Sequence, residues 1–382
     1  MQPLTWWRIG GLLTATVVAL IVLGRYDGCA TATEAFTGGG ATIRMQPIRM
    51  SRVECDVDLG ESLLRSLASV ELPPNRRQVL FIGNSQQYTA SLPRGARPEL
   101  DREGEMASSL VARSLARTFS DGLQVYTAAA PNQNFVESLW QGIYWFEVSR
   151  AKPSLLVLQA SFDTFRKTGI RPGFTSLLDD DSFRASMSAF RQTNPARAWS
   201  SDFDEGFKTH STLAAASETE TDKSSTVESR LRGLLEGVPL FAAREKRRSS
   251  FLTALYLARV HLLRISPTTK RHITGQPLEQ NLQALLDLVA IARQHDCEVL
   301  VYNAPTNPAV SMFYEDEYDR YLKRLAEEVT GAGAHFVDLR NVVESPNWGY
   351  WIDGPDPIHF DERGHEQLAE NLTPEIEKLL VR

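Results

Sequence analysis

Residues 80–90 read LFIGNSQQYTA, an apolar run that stops at Gly83 with a serine, Ser85, two positions later. A serine there supports two readings: a nucleophile presented at the end of a strand, or an N-cap that opens the next helix. A hydroxyl is a weak nucleophile until a base takes its proton. The first reading therefore requires a histidine, oriented by a carboxylate, from elsewhere in the chain.

Working outward from this stretch, short apolar runs bounded by turns recur at Gln78–Gly83, Leu123–Ala129, Ser154–Ala160, Glu298–Ala304 and His335–Leu339. Runs that are apolar at successive positions suit strands covered on both faces of a parallel sheet. Helical patterns lie between most of them, such as GEMASSLVARSLARTF (104–119) and EQNLQALLDLVAIARQH (279–295). This alternation predicts an α/β domain, a three-layer α/β/α sandwich around a five-stranded parallel sheet. Ligands of such sheets sit beyond the carboxyl ends of the strands.

The domain is expected over residues 59–382, starting with a helix near Leu59–Val70, after a Gly/Ala/Thr-rich linker drawn over 31–58. An insertion at about 167–275 separates the third and fourth strands. It contains a low-complexity tract, AAASETETDKSSTVESR (214–230), expected as a surface loop. A basic cluster and an amphipathic pattern follow over 239–265, open to a core-packing or a membrane- or partner-docking reading.

Residues 1–30 are of a different character. Ile9–Gly24 is uncharged and largely apolar, with Trp6, Trp7 and Arg8 before it. Such a stretch suits an N-terminal transmembrane helix with its amino terminus in the cytoplasm. A signal peptide cleaved near Ala30-Thr31-Ala32 is the alternative. Arg25 and Asp27 separate that site from the apolar run and favour the uncleaved anchor. Either way the domain is expected outside the cytoplasmic membrane.

The 382 residues are 42% hydrophobic and 23% charged, with a formal net charge of -6, which offers no basic field for nucleic acid. The three cysteines, Cys29, Cys55 and Cys297, show no metal-site spacing, and neither a metal nor a cofactor is expected. Cys297 reads as a small core residue, and whether Cys29 and Cys55 pair is left open.

The partner that Ser85 needs is found near the C-terminus. In DPIH, Asp356 and His359 stand three apart, just before a terminal helix expected from near Glu362. One turn of chain lets the carboxylate accept from one imidazole nitrogen and leaves the other to face a serine. Trp348, Tyr350 and Trp351 precede this segment, and stacking on a sugar ring and packing of the last loop are both open to them.

FIGNSQ (81–86) and DPIHFDERGHEQLAENL (356–372) resemble the first and last blocks of the SGNH or GDSL-type serine hydrolases. The resemblance implies a flavodoxin-like sheet and a triad of Ser85, His359 and Asp356. It places Asn132, in APNQNF (130–135), where the family has an oxyanion-hole glycine, and Asp163, in ASFDTF (160–165), where the family has an asparagine amide. A carboxylate there opposes a developing oxyanion unless protonated or redirected, which leaves the N–H groups of Ser85 and Asn132 as the expected donors, with Asn134 as a candidate replacement side-chain donor. The anchor, the insertion and NAPTNPAV (303–310) with YEDEYDRYLKRL (314–325) are similar to the D-alanyl-lipoteichoic acid biosynthesis (DltD) proteins and related partners of membrane-bound O-acyltransferases. This implies an acylated envelope glycan or other ester as substrate, with hydrolysis or transfer of the acyl group, or an inactive subunit that binds such an acyltransferase.

Overall fold

The computed structural model describes residues 48–49, 53–58, 77–87, 107–119, 123–130, 132–148, 152–221, 270–351 and 354–381. The expected anchor, the Leu59–Val70 helix, the 239–265 segment and any pairing of Cys29 lie outside these residues. Among the described residues no helix is long and apolar enough to cross a membrane.

Five parallel strands form the centre of the sheet: β3 (Arg77–Gly83), β4 (Leu123–Ala129), β5 (Leu155–Ala160), β6 (Glu298–Asn303) and β7 (His335–Asp338). Their spatial order is β4-β3-β5-β6-β7, so the first strand of the five lies between the second and the third. From β3 the chain adds β4 on one side and β5, β6 and β7 on the other, so the strand order switches between β3 and β5, and ligands bind at such a switch point.

The sheet is wider than the five expected strands. β2 (Val53–Asp58) pairs parallel with β4, and β1 (Ile48–Arg49) pairs antiparallel with β2, so part of the span drawn as linker is sheet. VECDVD alternates apolar and charged residues, unlike the continuous runs that mark the central strands.

Alternate residues of each central strand feed opposite cores. Val79 and Phe81 join a core with α1 (Ala107–Thr118) and α7 (Glu362–Leu380). Leu80 and Ile82 join the other, with α2 (Phe135–Ile143), α5 (Gln276–Gln294) and α6 (Glu315–Gly331). Cys297 is fully buried there, and burial pushes its thiol pKa up.

The insertion adds α3 (Asp181–Thr193) and α4 (Ser200–Thr221) to this second core. Trp140 of α2 holds them: its buried ring meets Phe183, Phe203 and Phe207 edge-on at centroid distances of 5.8, 5.6 and 6.2 Å. Because α4 runs to Thr221, the first part of the tract expected as a loop is helical. Alanines at 214–216 favour that outcome.

The last two strands form a separate antiparallel hairpin, β8 (Trp348–Trp351) and β9 (Gly354–Phe360). Trp348 is buried, stands edge-on to Phe360 at 5.5 Å, and donates its indole N–H to the Val343 carbonyl. Of the two readings open to Trp348, the structure shows packing.

Candidate active site

Ser85 follows β3 directly, and the cap of its turn is Asn84. The Asn84 side-chain oxygen accepts from Gln86 N–H at 3.1 Å, and its carbonyl accepts from Gln87 N–H at 3.0 Å. With the cap supplied by its neighbour, the Ser85 hydroxyl is free to face His359. Ser85 Oγ and His359 Nε2 are 2.9 Å apart, and His359 Nδ1 stands 3.0 Å from Asp356 Oδ2.

The carboxylate is fixed by its own strand. Asp356 Oδ1 accepts from the backbone N–H groups of Ile358 and His359, both at 2.9 Å. The turn expected between the two residues sits within β9, where the hairpin falls out of register between Trp348 and Tyr350. Asn307 clamps the same segment from outside: its amide donates to the Asp356 carbonyl at 2.8 Å and its backbone N–H to the Pro357 carbonyl at 3.1 Å.

Charge and burial act in opposite directions on both groups. Burial disfavours the Asp356 carboxylate, but the His359 charge and three hydrogen bonds outweigh it, and its pKa falls below the ordinary value. Burial likewise disfavours the His359 cation, yet the charge and hydrogen bond of Asp356, with the charge of Asp163, raise its pKa.

Beneath Ser85 lies a set of buried amides absent from the sequence-based list. Gln86 donates to the Pro305 carbonyl at 3.0 Å and to the Ile358 carbonyl, so the residue after the serine grips the residue before the histidine. Gln159 donates to Gln86 and accepts from Asn84 N–H at 2.9 Å. Asn84 also donates to Ser161 Oγ at 2.7 Å, and Gln87 donates to the Tyr302 hydroxyl. The ends of β3, β5, β6 and β9 are thereby joined by neutral hydrogen bonds.

This network sets the residue at 83. A Cβ on Gly83 would overlap Gln159 Oε1 and stand 2.8 Å from Gln87 Cγ. Gly83→Ala is therefore expected to cost about 1–3 kcal/mol of stability, measured by urea unfolding, since Gln159 must give up its bond to Asn84 to make room. A stability equal to that of the parent chain would show that the network can shift at no cost.

The other sequence candidates separate. Asn132, after β4, has φ 53°, the left-handed conformation that asparagine tolerates. Asn134 departs from expectation: its side-chain oxygen accepts from Glu137 N–H at 2.9 Å and its amide donates to the Gly169 carbonyl at 2.9 Å. It caps α2 in a reciprocal capping box with Glu137, so its amide is engaged in structure rather than held open as a donor. Asp163 is neither bare nor isolated. Its Oδ1 accepts from Arg166 at 3.0 Å and from Arg271 at 3.3 Å, two guanidinium groups that draw the carboxylate into ion pairs.

No family model and no curated protein sequence matches this chain. Similar solved structures include a family two carbohydrate esterase from Clostridium thermocellum in complex with cellohexaose, at 12% identity and TM-score 0.39, covering 81% of this chain and 66% of that one. Another is Est24, a carbohydrate acetylesterase from Sinorhizobium meliloti, at 10% identity and TM-score 0.37, covering 79% of this chain and 99% of that one. A variant of Axe2, an acetyl xylan esterase from Geobacillus stearothermophilus, matches at 13% identity and TM-score 0.36, over 78% and 94% of the two chains. At these TM-scores the α/β assignment rests on the strand order above and not on the likeness.

Proposed function

We propose that this chain is an SGNH-type serine acyl-ester hydrolase or O-acyltransferase acting on an acylated envelope glycan, with Ser85 as nucleophile. The observation that carries the reading is the hydrogen-bonded series Ser85 Oγ, His359 Nε2, His359 Nδ1, Asp356 Oδ2, with separations of 2.9 and 3.0 Å. In the first half-reaction His359 takes the hydroxyl proton as Ser85 Oγ bonds to the ester carbonyl carbon. The ester C–O bond then breaks, and the alcohol leaves with that proton, giving acyl-serine. In the second half, water or a sugar hydroxyl gives its proton to His359 and attacks the acyl carbon; the bond to Ser85 Oγ then breaks, and His359 returns the proton to that oxygen. The backbone N–H groups of Ser85 and Asn132 are the proposed donors to the oxyanion, since Asn134 is engaged as a cap.

The expected setting is outside the cytoplasmic membrane, with residues 1–30 as anchor and a membrane-bound O-acyltransferase as partner; the apolar stretch Ile9–Gly24 supports it. Mass spectrometry of the full-length protein after a fluorophosphonate probe tests the chemistry. A phosphonyl adduct on Ser85 is expected, whereas a chain that only binds an acyltransferase stays unlabelled.

The electrostatics of His359 give a pH test. The base must be neutral to accept a proton, so kcat/KM falls as pH drops through the His359 pKa, and that midpoint lies above the ordinary histidine value. Asp163→Asn removes one of the charges that raise it, so the acid limb is expected to move to lower pH. An unmoved limb would separate Asp163 from the base.

A further inference from the structure

Among the described residues, the cations around Asp163 outnumber the two carboxylates they are paired with, Asp163 and Glu137. Four cations, Arg166, Lys167, Arg171 and Arg271, act together there, since all three arginine charges bear on the Lys167 ammonium. Arg171 belongs to Glu137, whose fully buried carboxylate it grips with its Nε and Nη2, each at 2.6 Å. Arg166 and Arg271 share the single carboxylate of Asp163. The Asp163 charge supports the Lys167 ammonium. With Glu137 and Asp163 each matched to one cation, two of these four positive charges remain beyond the ion pairs among the described residues.

These cations are held, not loose. Arg166 lies over the Phe162 ring at 5.3 Å while bonded to Asp163. Arg271 is fixed by its backbone, which donates to the Met312 carbonyl at 2.8 Å and bridges Phe313 at the return of the insertion. Both guanidinium groups are about one-third exposed, and Lys167 is half-buried. Burial, aided by the three arginines and opposed by Asp163, brings the Lys167 pKa down to about 8, as expected of an ammonium short of counter-charge. The patch adjoins the triad: Ser161, two residues before Asp163, accepts from the amide of Asn84, the residue before Ser85, at 2.7 Å, and the Asp163 charge acts on His359 as well.

We propose that Arg166, Lys167 and Arg271 around Asp163 form an anion subsite beside the triad, and that the ester acted on carries an oxyanion group such as a carboxylate, phosphate or sulfate. This deepens the acyl-transfer reading and rests on it. An anionic substrate supplies the charge the patch lacks and leaves Asp163 paired with the arginines, away from the developing oxyanion.

Two matched pairs of substrates, given to the full-length protein, test the subsite and locate the anion. p-Nitrophenyl acetate against mono-p-nitrophenyl succinate places the charge on the acyl side. Acetylated xylan against acetylated polygalacturonate places it on the alcohol side. The anionic member of one pair is expected to exceed its neutral mate in kcat/KM by about tenfold, and Lys167→Gln and Arg271→Gln are each expected to reduce that ratio several-fold. Ratios near one in both pairs overturn the subsite, as do ratios that neither substitution moves in folded protein. Calorimetric binding of succinate and of unesterified polygalacturonate to Ser85→Ala protein reads the subsite without turnover. Failure of both to bind overturns it even if p-nitrophenyl acetate is cleaved. Binding that Lys167→Gln weakens, with no cleavage of any ester by the parent chain, supports the subsite and overturns the acyl-transfer reading instead.

Discussion

Ser85→Ala is expected to reduce ester turnover by roughly 10^4-fold or more, with the fold intact. The size follows from the mechanism, because no covalent intermediate forms without the hydroxyl and the imidazole then has no proton to take. The fold survives because the turn is capped by Asn84 and not by the serine, and because Ser85 is only partly buried. Asp356→Asn is expected to act at nearly the same scale by another route: an amide that donates to His359 Nδ1 imposes the wrong tautomer on the ring. Steady-state rates with p-nitrophenyl acetate, beside thermal unfolding of each variant, check both. Parent-like turnover by Ser85→Ala would remove the serine from the chemistry.

The largest expected stability effect lies in the core shared by α2 and the insertion helices. Trp140→Ala should destabilise the chain by about 3–5 kcal/mol, read as a lower urea midpoint. The ring is fully buried among Phe183, Phe203 and Phe207, and Gly206 packs so closely that a Cβ there would sit 3.1 Å from it. Alanine leaves a cavity where α2 meets the two insertion helices. Trp140→Phe is expected to cost under half as much, since the indole N–H has no hydrogen-bond partner among the described residues and only volume is lost. Equal losses in the two variants would show that the site does not depend on filled space.

The last block of the chain was the most legible part, because nearly every residue of HFDERGHEQL serves a local requirement. Asp361 caps α7 through Gly364 N–H at 3.0 Å, and Gly364 leaves room for Phe360, whose Cβ would lie 2.6 Å from any added side chain. The His365 imidazole accepts from Ala107 N–H at 3.2 Å and tethers α1. Such short-range patterns are written in consecutive residues and can be read there. The central strands were legible for a similar reason, since burial on both faces requires an unbroken apolar run. β2 was hidden because VECDVD is apolar only at alternate positions and shows no such run.

The glutamines were out of reach for the opposite reason. Gln86, Gln87 and Gln159 are ordinary surface residues by type, and only the meeting of four strand ends buries them. The capping role of Asn134 is legible in the sequence from Glu137 three places on, the sign of a capping box. Asp163 stood out as an anomaly, but of the two arginines that redirect it only Arg166 is near in the chain, and Arg271 lies 108 positions away.

The buried amide network has one more consequence. Ser85 and His359, 274 positions apart in the chain, are brought into register through Gln86, a group without formal charge. Counter-ions cannot weaken such a linkage, whereas they do weaken the attraction between exposed guanidinium groups and an anion. Raising ionic strength should therefore leave the maximal rate nearly flat while raising the Michaelis constant for an anionic ester, so that alignment and capture answer to salt separately.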